Sequence, residues 1–174
     1  MAGAIAPLLA TAAGLLVLAG LTKLRSPLTT RQALSTIGLR VGAGQIRAVA
    51  AAELAIGLWC IVSPGPAAEG CLAAAYLAFA VVMALLVRAR ADVGCGCFGA
   101  QSFRASKGHV ALDLIAAAIG VGAAVTGPKR ILSSSVDAMP IVLLGVGCAI
   151  YLAYLLFTVA PAMWGSYQLE ETTR

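Results

Sequence analysis

An all-α, integral membrane bundle of about five transmembrane helices is the fold class this sequence predicts, and three observations predict it. Hydrophobic residues make up 61% of the 174 and charged residues only 11%, where an average soluble domain carries about 45–50% and about 25%. Five windows are nearly free of charge, over roughly residues 4–22, 46–63, 70–88, 109–127 and 138–165, each near the ~17–25 residues that a helix needs to cross the hydrocarbon. Inside that layer a helix satisfies its own backbone groups, so a bundle is the expected architecture.

The elements follow in order. No Lys or Arg precedes the first window, the first cation being Lys23 on its far side, so it reads as a retained transmembrane helix and not as a cleaved leader. The cation-rich loop Thr22–Arg47 holds apolar Leu28, Leu34, Ile37, Leu39 and Val41. Part of it, from Thr29 or Thr30 to about Leu39, predicts a short interfacial helix stopped by Gly42 and Gly44. The second span carries Glu53 and ends near Trp59, and the stretch IVSPGPAAEG leads to the third. Small residues at Ala73, Ala74 and Ala75, at Gly120 and Gly122 of the fourth span and at Gly145 and Gly147 of the fifth would let helices approach closely. Trp164 and Tyr167 suit an interfacial belt at the end of the fifth span, and the tail Glu170–Arg174 is short enough to fray. No polar stretch is long enough for a second module, so the chain is one transmembrane domain over 1–174.

A net charge of +5 would suggest an acidic partner for a soluble domain; here its placement carries the information. Nine cations lie in two loops, Lys23, Arg25, Arg31, Arg40 and Arg47 in the first and Arg88, Arg90, Arg104 and Lys107 in the loop Arg88–Gly108, against Lys129 and Arg130 between the other spans. This positive-inside bias puts both long loops in the cytoplasm and the N-terminus outside, in a multi-pass protein of the cell membrane. Lipid is the expected surroundings and nucleic acid is not an expected partner.

Chemistry must then come from loops or from polar residues between helices. Cys95 and Cys97 stand in the stretch ADVGCGCFGAQSF after the third span, among Gly94, Gly96 and Gly99, which let the chain turn tightly and present both sulfurs together. A disulfide across one spacer residue is strained and therefore exchangeable, and the neighbouring cations favour the reactive thiolate. Asp113 follows His109 by four residues on one helix face and could orient its ring. Glu53 enters from the same side. An ionisable residue in a span is a functional candidate by default; the alternative for Glu53 and Asp113 is that they pair with loop arginines and tie helices together. Cys60 and Cys71 flank the opposite turn, where a disulfide is permitted, and Cys148 lies mid-span as a small apolar residue.

The runs GLTKLRSP after the first span, AELAIGL with Glu53, and CGCFG after the third resemble the membrane proteins of the MauE (methylamine utilisation) type within the DoxX-like group, over roughly residues 14–120. The resemblance implies a four-helix core connected with thiol–disulfide chemistry: MauE-type proteins serve maturation of a disulfide-rich dehydrogenase subunit beside a thioredoxin-like partner, and DoxX relatives are linked to quinone-coupled sulfur oxidation. By position Cys95 and Cys97 match the family's cysteine pair and Glu53 its glutamate, while Asp113 stands where relatives often have asparagine. No thioredoxin domain is fused here, and the fifth span extends past the matched region. Oxidative maturation occurs outside the membrane, whereas the charge bias places CGC inside; the charge bias is kept.

Three functions remain open on these residues. The first is a membrane thiol–disulfide oxidoreductase cycling Cys95 and Cys97, with His109 and Asp113 shuttling protons and, as the resemblance implies, a quinone as electron acceptor and a thioredoxin-like or other redox protein as partner. The second is soft-metal handling of Cu, Hg or Zn by Cys95, Cys97 and His109. The third is a non-catalytic membrane subunit or assembly factor, and an oligomer is compatible with each.

Overall fold

A computed structural model describes residues 2–89, 105–127 and 139–158 of the chain. Those residues form six helices and no strand: α1 (Ala2–Arg25), α2 (Pro27–Thr36), α3 (Ala43–Val62), α4 (Pro66–Arg88), α5 (Lys107–Thr126) and α6 (Met139–Thr158). By length and composition α1, α3, α4 and α5 can each cross a membrane. The window expected to form the fifth span contains α6; Trp164 and Tyr167 lie outside the described residues.

Helix ends differ from expectation where local stereochemistry outweighs the charge pattern. The interfacial helix is present as α2, but Pro27 at its first position starts it before Thr29, and Gly38, at φ 83°, ends it before Leu39. Gly42 does not stop α2: it caps α3, its N–H donating to Gln45 Oε1 at 2.9 Å. α3 therefore begins at Ala43 and not at 46. Pro66 likewise opens α4 ahead of residue 70 and brings Glu69 into its first turn.

α1 and α3 pack antiparallel, and glycine permits it. A methyl group added at Gly20 would stand 2.7 Å from the Ala50 carbonyl oxygen, and one at Gly57 2.8 Å from that of Ala13. α5 closes on α4 through Gly120, whose added Cβ would meet Ala73 Cβ at 3.1 Å. Gly122 and Gly147 face open space. In lipid, close packing and polar contacts hold helices together, because burial from water contributes little there.

Two clusters mark the ends of the bundle. One gathers Leu9, Ala13 and Leu16 of α1, Cys60 of α3, Leu72 and Tyr76 of α4 and Ala117 of α5. At the other, Ala33 of α2 packs with Met83 and Leu86 of α4 and with Val110 of α5, docking α2 onto the bundle. Leu58, Trp59, Leu77, Val81, Ile115 and Val125 are exposed, as lipid-facing residues should be.

Candidate functional site

At the end of the bundle that carries α2, an ion pair is buried between α1 and α3. Lys23, in the last turn of α1, donates through Nζ to Glu53 Oε1 at 2.6 Å and to Oε2 at 2.8 Å. The two residues are only 4% and 3% exposed. The ammonium also stands 4.2 Å from the centroid of the Phe79 ring of α4, a distance at which the ring face attracts a cation. Phe79 meets Tyr76 edge-on at 5.8 Å and 85°, and the Tyr76 hydroxyl donates to the Ala12 carbonyl of α1 at 2.7 Å. This chain of contacts links α3, α1 and α4 through one polar thread.

Above the pair lies a partly open cavity of about 180 Å³. Ala33 and Leu34 of α2, Ile46 and Val49 of α3 and Val82 of α4 form apolar walls; Thr30 and Gln45 add polar groups, and Lys23, Glu53 and Phe79 line it as well. An apolar chamber with a few convergent polar groups is the usual form of a small-molecule site. Two of the three ammonium protons of Lys23 are directed to Glu53, leaving one donor for another acceptor.

Glu53 therefore has the cationic partner that the helix-tying alternative demands, but that partner is Lys23, at the end of α1, and not a loop arginine. Sequence reasoning counts Lys23 among the loop cations; at the end of a span a lysine ordinarily reaches outward to the headgroups, and this one reaches inward. A signal was available in the pairing of one acid within the second window with one cation just past the first.

His109 is buried at 3% in the first turn of α5. Its Nδ1 lies 2.9 Å from the hydroxyl of Ser106, the residue that caps the helix. Asp113, one turn on along the same face, is buried at 4%. Neither lines the cavity around Glu53. Cys95 and Cys97 lie outside the described residues. The described flanks of their segment, the end of α4 and the residues from Ala105 that lead into α5, meet at the α2 end of the bundle, where Ala105 packs with Met83 and Leu86.

At the opposite end Cys60 and Cys71 are both free thiols, the first buried and the second exposed, and Cys148 of α6 is a free, exposed thiol. Cys60 Sγ donates to the Ala68 carbonyl at 3.2 Å. Beside it Glu69 is fully buried, with both carboxyl oxygens lacking a hydrogen-bond partner. Sequence reasoning passes over Glu69 because the window free of charge starts at Gly70; Pro66, a common first helical residue, was the available sign that the helix starts earlier. Among the described residues no three His, Cys, Asp or Glu side chains gather to hold a metal.

Against this geometry, the family model described as methylamine utilisation protein MauE matches residues 2–129, which takes in α1 through α5. No curated protein and no solved structure matches the chain.

Proposed function

Because the chain belongs to the MauE family and is a multi-pass membrane protein, we propose that it is the membrane component of a thiol–disulfide redox system serving methylamine utilisation. In this reading Cys95 and Cys97 cycle between dithiol and disulfide, and a thioredoxin-like protein exchanges thiols with them. The observation that carries the reading is the apolar cavity over Lys23 and Glu53, at the bundle end where both flanks of the CGC segment emerge.

The cavity suits a quinone: apolar walls accept a flat ring, and the remaining Lys23 proton can donate to a carbonyl oxygen. A bound quinone would supply the two-electron sink that turns a dithiol into a disulfide. The chain's own groups do the rest. Lys23 fixes the orientation of an acceptor oxygen, with Glu53 holding the ammonium in place. Phe79 presents a ring edge or face to whatever occupies the chamber, and α2 shields it from water. His109 and Asp113 lie near the start of α5 to take the two protons that leave the thiols. By the charge bias this end faces the cytoplasm.

The direct test is thiol trapping in native membranes. Maleimide labelling of Cys95 and Cys97 should rise on adding reductant and should follow the redox state of the partner protein. Unchanged labelling at both positions before and after reductant sinks the redox reading, and leaves the segment as a docking turn.

A further inference from the structure

The MauE-type reading uses one cysteine pair and leaves a buried carboxyl without a task. Glu69 is 0% exposed, and neither Oε1 nor Oε2 has a partner. An unsatisfied buried acid is costly, and a redox or catalytic role is one of the reasons such a group persists. Around it, at the α3–α4 turn, stand two free thiols of opposite exposure: Cys60 in the last turn of α3 and Cys71 early in α4. Cys60 reaches α4 through its sulfur at Ala68, the residue before Glu69. That sulfur bonds to the Ala68 carbonyl at 3.2 Å, and in an α-helix the carbonyl of one residue lies beside the Cβ of the third residue on, here Cys71. The buried thiol is thus held against the position of the exposed one.

We propose that Cys60, Cys71 and Glu69 form a second, independent thiol–disulfide site, at the end of the bundle opposite the CGC segment, whose substrate is a disulfide-bearing peptide or protein presented at that face. Cys71 is the entry thiol because it is exposed, and Cys60 is the resolving thiol because it is not. In the first step the Cys71 thiolate, its proton lost to water at the exposed face, attacks one sulfur of the incoming disulfide; a mixed disulfide forms, the substrate's S–S bond breaks, and the other sulfur leaves as a thiolate that takes up a proton from water. In the second, Cys60 Sγ attacks Cys71 Sγ; the Cys60–Cys71 bond forms, the mixed bond breaks and the second thiol leaves. Two protein thiols are oxidised and one disulfide is reduced to two thiols. Glu69 relays the proton of this step: one carboxyl oxygen takes it from Cys60 while the other gives one to the departing sulfur. A carboxyl with both oxygens unpartnered is suited to that exchange, whereas one locked in an ion pair, like Glu53, is not.

The test uses the full chain with Cys95, Cys97 and Cys148 changed to Ser, so that its outcome does not depend on the CGC pair. The probe is oxidised glutathione, and products are read by mass spectrometry after acid quench. The Cys60→Ser variant should accumulate glutathione on Cys71, while the parent should pass through that adduct to the Cys60–Cys71 disulfide with release of glutathione. Glu69→Gln, which keeps the shape of the side chain and removes an awkward acid, should slow resolution tenfold or more with the adduct unaffected, and Glu69→Asp should recover much of the rate. Stable glutathione adducts in the parent equal to those in Cys60→Ser, or no modification of Cys71, would overturn the proposal. A Glu69→Gln variant that resolves as fast as the parent would remove Glu69 from it.

Discussion

Replacing Lys23 with Met is expected to cost the folded protein about 3–5 kcal/mol, because it leaves the Glu53 carboxylate buried and uncompensated. Both partners are almost wholly enclosed, and each Nζ–Oε contact is short. The loss should be read as a fall in thermal midpoint in detergent and in yield of monodisperse protein. The double variant Lys23→Met/Glu53→Leu should recover most of the stability, since apolar replacement of a whole buried pair is often neutral. That recovery also separates structure from function. If Lys23 also orients a ligand in the cavity above it, the double variant folds but its redox turnover slows. A double variant with full turnover would reduce the pair to a clamp between α1 and α3.

The second large effect is expected at Gly57. Its helix lies so close to α1 that even a methyl group would sit 2.7 Å from Val17 Cγ2 and 2.8 Å from the Ala13 carbonyl. Valine can rotate, but a backbone carbonyl cannot. Gly57→Leu must therefore part the two helices, at a cost of about 1–3 kcal/mol by analogy with overpacked cores, or more if the shift propagates. The displacement should reach Glu53, one turn away on the same helix, and lengthen its contact with Lys23. Gly122→Leu is the control, since nothing stands within 4 Å of a Cβ added there. Equal loss in the two variants, by thermal unfolding in one detergent, would mean that helix propensity and not the α1–α3 approach sets the cost.

These residues also show what could be read in advance. Long apolar windows place helices because hydropathy sums over about 20 residues and tolerates local error. Glu53 stood out because an acid inside such a window has few bland explanations. Its partner did not, because a lysine at the end of a span serves ordinarily as a cytoplasmic anchor, and only the path of its side chain shows otherwise. The ends of α2, α3 and α4 were misplaced by a few residues because Pro27, Gly38, Gly42 and Pro66 act through backbone geometry, to which a hydropathy window is blind. Gly20 and Gly57 were missed, and Gly122 picked out beside Gly120, since which glycine meets a neighbour depends on helix rotation. Glu69 was hidden by the misplaced start of α4. The CGC pair, legible at once as an oddity in an apolar chain, falls outside the described residues, so its chemistry rests on the flanking helices, the cavity and the family.

The most direct test of the account is the fate of the Cys95 and Cys97 thiols when the reduced, detergent-solubilised chain meets a short-chain quinone without oxygen. One quinol formed per chain, with both thiols lost to maleimide and the reaction abolished in Cys95→Ser and slowed in Lys23→Met/Glu53→Leu, is the predicted result. Thiols that stay fully labelled in the presence of quinone, with no quinol formed, would contradict it.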